Sequence, residues 1–283
     1  MLKKYFSFLP SLAICLGGVC ASSAVLAQTD AAPEKTPVQK DVEAAKKWSV
    51  YWGWNRSTYS NSDIHFWGAD HDFTLKNVAA TDIHMDLSPQ SFFDYYLNPA
   101  NMTIPQTNLR IAYQYDSDTA IALNLDHMKY VMTADQVVHM QGQTPDGPIN
   151  GAKQLKTNYL NFEHTDGLNI ISIELEKQRP VQWFGPSVKS RVFALAGVGI
   201  VLPKSNVTLN FLNRVRNDEF HFAGYSAGVG AGLEVDFCKD FFVRSAYKAG
   251  MVNLPDVVTS SVGDKASHRF NYDEFLVVFG ARF

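Results

Sequence analysis

Apolar and polar residues alternate one by one along most of the chain after residue 47, the texture of β-strands with two unlike faces. In residues 271–283, Phe275, Val277, Phe279, Ala281 and Phe283 share one face, and Glu274, Gly280 and Arg282 fall on the other. Near the start, Val50, Trp52 and Trp54 alternate with Tyr51, Gly53 and Asn55. Leu109, Ile111, Tyr113 and Tyr115 alternate with Arg110, Ala112 and Gln114, and Ile121, Leu123 and Leu125 with Asn124 and Asp126. Asp116-Ser117-Asp118 predicts a tight turn between those two strands. Thr165-Asp166-Gly167 predicts another, between strands over 159–163 and 171–176. Pro203-Lys204-Ser205-Asn206 separates a strand over 189–202 from Val207, Leu209 and Phe211, and Cys238-Lys239-Asp240 separates 224–237 from 241–248. Within 224–237 the polar face carries Gly224, Gly228, Gly230 and Gly232, which predicts a narrow interior where neighbouring side chains need the room.

Strands linked by tight turns predict an all-β, transmembrane up-and-down antiparallel barrel over 48–283. The count is ten strands, with twelve or eight as alternatives, twelve if 57–105 contributes two of its own. With the carboxyl end on one side of the membrane, the turns at Ser117, Asp166, Ser205 and Lys239 fall on that side and the longer connections on the other. Residues 57–105 then form a large external loop with its own strand-like pieces at 63–67 and 72–76. Its aromatic cluster, Phe92, Phe93, Tyr95 and Tyr96, is expected to cover the barrel mouth or to lie among lipid headgroups.

Composition adds location. Residues 1–27 combine Lys3 and Lys4, an apolar run and Val25-Leu26-Ala27, the pattern of a cleaved export signal; a lipoprotein signal at Cys20 fits poorly. Residues 28–47, rich in Ala, Pro, Lys and Glu, read as a flexible periplasmic arm. No later stretch offers the roughly twenty apolar residues of a membrane helix. A net charge of -3 argues against nucleic acid as a partner. Aromatics are 13% of the chain, which suits strands facing lipid. After removal of the leader only Cys238 remains, so no intrachain disulfide forms.

The polar faces point to the candidate chemistry. Inward positions are Asn55, Arg110, Asp126, Glu163, Glu174, Glu176, Glu234, Asp236, Arg244, Lys248, Glu274 and Arg282. They predict a lumen plugged by salt bridges, or else a small charged pore. Most of the 8 histidines fall in or beside external loops, with His164 placed near the opposite side. Asp63-Ile64-His65 recurs as Asp82-Ile83-His84, making Asp63, His65, Asp82 and His84 candidate ligands of a divalent cation; no other cofactor is expected. Asp126-His127 is the best acid-base pair for a lipid-modifying enzyme, but adjacent strand residues point to opposite faces. No nucleophile motif accompanies it.

Two resemblances add to this. The closing strand, ending at Phe283, resembles that of bacterial outer-membrane barrels, whose assembly machinery recognises a terminal Phe. The segments Tyr51-Trp52-Gly53-Trp54-Asn55-Arg56-Ser57, Ser62-Asp63-Ile64-His65-Phe66 and Asp126-His127-Met128-Lys129-Tyr130-Val131-Met132, with Asp72-Phe73-Thr74-Leu75 and Ile104-Pro105-Gln106, resemble an uncharacterised family of bacterial outer-membrane β-barrel proteins. That resemblance spans residues 48–283. It implies a Gram-negative outer membrane, with outer-membrane lipids, lipopolysaccharide and the barrel assembly machinery as partners. It carries over no catalytic residue.

Overall fold

Alternating stretches become strands, and in the computed structural model they hydrogen-bond into one sheet that closes on itself. The structure describes residues 46–83, 88–98, 105–217 and 219–283, so the expected export signal and nearly all of the expected arm lie outside it. The strands are β1 (Trp48–Tyr59), β2 (Ser62–Trp67), β3 (Asp72–Val78), β4 (Ala80–Thr81), β5 (Thr107–Gln114), β6 (Thr119–Met132) and β7 (Val137–Thr144). They continue as β8 (Gly147–Gln154), β9 (Leu160–Val181), β10 (Ser190–Pro203), β11 (Asn206–Leu209), β12 (Gly224–Asp236), β13 (Phe241–Val258) and β14 (Lys265–Arg282).

Among the described residues, eight strands close a ring in the order β1-β5-β6-β9-β10-β12-β13-β14, each antiparallel to its neighbours. β14 pairs back to β1 from Ser49↔Arg282 to Tyr59↔Tyr272, and the seam ends where the Phe283 and Trp48 backbones exchange hydrogen bonds of 2.9 and 3.0 Å. The remaining strands extend one end: β2, β3, β7 and β8 continue the sheet from the upper part of β14, β4 pairs with β6, and β11 pairs with β9.

Eight strands, rather than the expected ten, follow from two local facts. Thr165-Asp166-Gly167 is no turn, because β9 runs through it as one strand of 22 residues. Between the pairs Met128↔Leu168 and Tyr130↔His164, residues 165–167 face the single residue Lys129, and Gly167 takes φ 138°. This is a bulge, a use of Gly that from sequence looks like a turn. Second, Val207 and Leu209 belong to the short β11, laid on the upper end of β9, and do not cross the barrel. The turns at Ser117 and Lys239 do lie at the end of the barrel that holds Trp48 and Phe283; Ser205 lies at the other end, and residues 182–189, expected among the external connections, join β9 to β10 at the terminal end. His164 is therefore in the upper half, away from the side first expected.

The same strands serve two solvents. β13 and β14 have 18 residues each, well beyond the ~9–11 that cross hydrocarbon. In the lower half, toward the termini, Leu109, Ile111, Leu123, Ile173, Val198 and Phe275 stand exposed on the outer wall while Arg110, Glu174, Glu176 and Lys248 are buried within. In the upper half the polarity inverts: Arg269, Asn271 and Asp273 face out, and Phe270 and Ala266 face in. There Ile64, Phe66, Phe73, Leu75, Tyr130, Phe162 and Leu254 join one continuous buried core. Lipid outside selects polar inside, and water outside selects the reverse.

The glycine face is sterically required. A Cβ on Gly232 would come within 2.5 Å of the Phe193 ring, and one on Gly250 within 2.6 Å of the Tyr272 ring. Gly250→Val is expected to cost about 1–3 kcal/mol by overpacking. Gly151→Val, at a position with nothing within 4 Å, should leave stability unchanged. The temperature at which the folded band disappears on detergent gels measures both, and equal behaviour of the two variants would contradict the packing argument.

Candidate functional site

Inward positions of the lower strands bring their charges into one network. Arg110 Nε donates to Glu174 at 2.9 Å and its Nη2 to Glu176 at 2.9 Å. Arg244 holds Glu176 with both terminal nitrogens, at 2.8 and 3.0 Å, and pairs with Glu234 at 2.8 Å. Lys248 Nζ sits 3.0 Å from Asp126 and 2.9 Å from Glu174. Asn108 donates to Asp126 and Glu274, and Asn55 donates to Asn108 at 2.8 Å. At the lower end Arg191 and Arg282 clamp Glu234 and Asp236. Charges taken out of water are tolerable only when paired with such bidentate geometry.

Between these layers Tyr51, Phe193, Phe242, Leu276 and Val278 form a small apolar cluster. Beside Asp126, Glu174, Lys248 and Tyr272 the lumen holds a pocket of about 20 Å³, room for about one water. Eleven of the twelve expected inward residues take part in the network or its lower rim. Glu163 does not: it lies above the bulge, accepting from Asn206 and Thr165. Read as a turn, Thr165-Asp166-Gly167 sets it on a crossing strand, and the bulge removes that crossing. Asn108 and Arg191 went unnoticed, although Asn108 is in phase with Arg110 and extending that period by one step finds it.

The upper core holds a second polar chain. His164 Nδ1 meets Ser205 Oγ at 2.8 Å and its Nε2 meets His268 Nε2 at 3.2 Å, with Tyr130, Phe162 and Phe270 packed around them. The connectivity is that of a nucleophile, a base and an orienting group, but all three residues are buried, so no substrate reaches Ser205. Both imidazoles lie above the apolar belt. Burial pushes His268 down to about 3, and burial with the neighbouring His268 and His221 holds His164 well below its ordinary range.

The candidate cation ligands do not converge. Asp63 pairs with Lys76 at 2.8 Å and accepts the Asn77 N–H at 2.9 Å, His65 pairs with Asp72 at 2.8 Å, and the buried Asp82 accepts the Ser57 N–H at 2.9 Å. His84 lies outside the described residues. Among the described residues no three His, Cys, Asp or Glu side chains are grouped to hold a metal ion. Asp126 and His127 point apart, Asp126 to Lys248 and His127 Nδ1 to Asn169 Oδ1 at 2.7 Å.

The aromatic segment does not cover the mouth. A short helical stretch, Pro89–Ser91 and Phe92–Tyr96, packs on the outer face of β1, with Trp54 5.9 Å from the Tyr96 ring and Arg56 donating to Tyr96 Oη at 2.6 Å. Phe93, 65% exposed, points away from the wall at the margin of the apolar belt.

No family profile matches the chain, and no curated protein matches it. Solved structures similar to it include Neisserial surface protein A, at 9% identity over 83% of this chain and 97% of that one, with a TM-score of 0.35. OprG, an outer membrane protein from Pseudomonas aeruginosa, is similar at 11% identity over 84% and 96%, with a TM-score of 0.38. Ail, the attachment invasion locus protein of Yersinia pestis, is similar at 13% identity over 84% and 99%, with a TM-score of 0.32. Likeness at this level carries no argument, and the barrel rests on its own strand register.

Two outcomes are expected. Lys248→Met leaves Asp126 without its cation and Glu174 with Arg110 alone, and should cost about 3–5 kcal/mol in urea unfolding of the detergent-solubilised barrel. The upper core sets a pH dependence. An imidazole with a depressed folded pKa stays neutral in the fold, so between 6.5 and about 3 the unfolded chain binds a proton that the fold does not. Stability therefore falls as pH drops through that window, by up to about 1.4 kcal/mol per pH unit for each such histidine. His268→Phe should flatten the slope of unfolding free energy between roughly pH 6.5 and 4; an unchanged slope would place the titration elsewhere.

Proposed function

We propose that the chain is an outer-membrane β-barrel of a Gram-negative bacterium that conducts no solute and holds a rigid β-structure at the cell surface as a recognition element. The observation that carries this reading is the double closure of the barrel axis: paired charges fill the lower lumen and a hydrophobic core fills the upper half. A barrel built to pass solutes has no use for either. The strands that rise beyond the apolar belt are joined by β2, β3, β7 and β8 into a polar-walled body, and that body is the part available to partners. Phe283, held at the β1 seam, fits recognition by barrel assembly machinery, with Trp48 and Phe283 at the periplasmic end of the barrel.

A lipid-modifying enzyme has less support, since Asp126 and His127 face opposite ways and Ser205 is sealed. A cation at the upper loops would need His84 and a rearrangement of the Asp63 and His65 pairs.

Reconstituted protein should show no conductance steps in planar bilayers, and regular steps would overturn the reading. Cys238, exposed in the lower turn, should resist a membrane-impermeant maleimide on intact cells. In a Cys238→Ser background, Asp146→Cys, in the exposed connection between β7 and β8, should label readily. The reverse pattern would invert the proposed orientation.

A further inference from the structure

The outer wall carries a groove of about 920 Å³ at the level where the two halves meet. Its floor is apolar, made by Trp52, Leu109 and Leu125 on the lipid-facing side of β1, β5 and β6, and Phe220 borders it. Its upper wall is cationic. Lys129 stands opposite the β9 bulge, and Lys204 is paired with Asp166 at 2.9 Å.

Lys129 is the unusual member. Only 8% of it is exposed, it lines the groove, and its ammonium has no hydrogen bond or ion pair among the described residues. The stem is buried while the ammonium opens onto the groove, where an anion from outside the chain can pair with it. Asp166, the carboxylate lining the groove, is held directly by Lys204, and Asp166 and Asp82 act on Lys129 only at longer range, so Lys129 makes no direct ion pair. The bulge places it there: with residues 165–167 set against Lys129 alone, the ladder between β6 and β9 is interrupted at this height.

Apolar floor below and a cation without a direct pair above is the inverse of one kind of molecule, an amphiphile with acyl chains and a phosphate headgroup lying along the barrel wall. We infer that this groove is a specific site for a phosphate-bearing lipid of the surrounding outer leaflet, with Lys129 as its phosphate ligand. The inference rests on the membrane-spanning reading above and adds one defined lipid position to it.

The test is native mass spectrometry of the full-length protein in detergent, with bisphosphorylated lipid A, the same lipid dephosphorylated, and inorganic phosphate as probes. One lipid per chain should be retained for the phosphorylated form, and about tenfold less for the dephosphorylated form, as loss of one charge-assisted contact implies. Lys129→Met should reduce retention of the phosphorylated lipid about tenfold. Lys129→Arg should restore much of it, and Lys177→Met, at the exposed lower end, should have no effect. Equal retention of the two lipids, wild-type retention by Lys129→Met, or displacement by inorganic phosphate alone would each overturn the site. If Lys129→Met fails to give a heat-modifiable barrel, the comparison of the two lipids on the unaltered protein decides the question. Heat-modifiable migration and maleimide labelling report on the barrel and its orientation whatever the lipid result, so failure of the site is distinguishable from failure of the membrane reading.

Discussion

Hydrocarbon offers no hydrogen bonds, so a sheet that crosses it must leave no edge, and the β1–β14 seam is the constraint on which the rest depends. Closure after eight strands makes the ring narrow, and a narrow ring has to be filled by its own side chains. From this follow Gly232 and Gly250, which vacate space for Phe193 and Tyr272. From it also follows the ion-pair network. Inward residues of a lipid-facing strand must be other than lipid-loving to specify which face is which, and once inside they must find partners. Arg110, Arg244 and Lys248 each bridge two carboxylates, tying β5, β6, β9, β12 and β13 together across the lumen.

The upper half solves the filling problem in the opposite way with the same strands. β9 passes from Glu174 and Ser172, inward in the lower half, to Phe162 and Leu160, inward in the upper half, without changing which parity faces in. The bulge at 165–167 adds two residues relative to β6, an even number, so the face is preserved while the backbone bends. Ionic filling below and apolar filling above thus meet without a break in the sheet. The place where they meet is also where Lys129, His127 and Asn169 gather on the outer wall.

Much of this was legible in the sequence, and the failures have a common physical cause. Residues 271–283 mark the closing strand because Phe275, Val277, Phe279, Ala281 and Phe283 keep one face apolar throughout, and parity alone sets Asp126 and His127 on opposite faces, as the structure has them. Alternation shows which residues share a face but says nothing about which solvent that face meets. Leu160 and Phe162 therefore read like lipid-facing residues of a further crossing, although they point into a water-excluding core. Thr165-Asp166-Gly167 failed for a related reason: the left-handed backbone that Gly permits serves a turn and a bulge equally well, and only the partner strand distinguishes them. The recurring Asp-Ile-His pattern suggested convergence on a cation, whereas antiparallel register hands Asp63 to Lys76 and His65 to Asp72 across the β2–β3 pair.

A smooth apolar belt would let a barrel slide along the bilayer normal, and the outer wall of β1 opposes this. Trp52 and Trp54 contact each other edge-on at 5.1 Å, and Trp54 is covered by Phe92 and Tyr96 while Arg56 holds Tyr96 Oη. Amphipathic rings and a tethered guanidinium are stable at one depth only, the headgroup layer. Because β1 also closes the seam with β14, whose upper half carries β2 and the strands beyond it, the depth fixed at Trp54 is transmitted through backbone hydrogen bonds to the whole external body. The proposed recognition role gains from that rigidity, since little orientational freedom is lost when a partner binds.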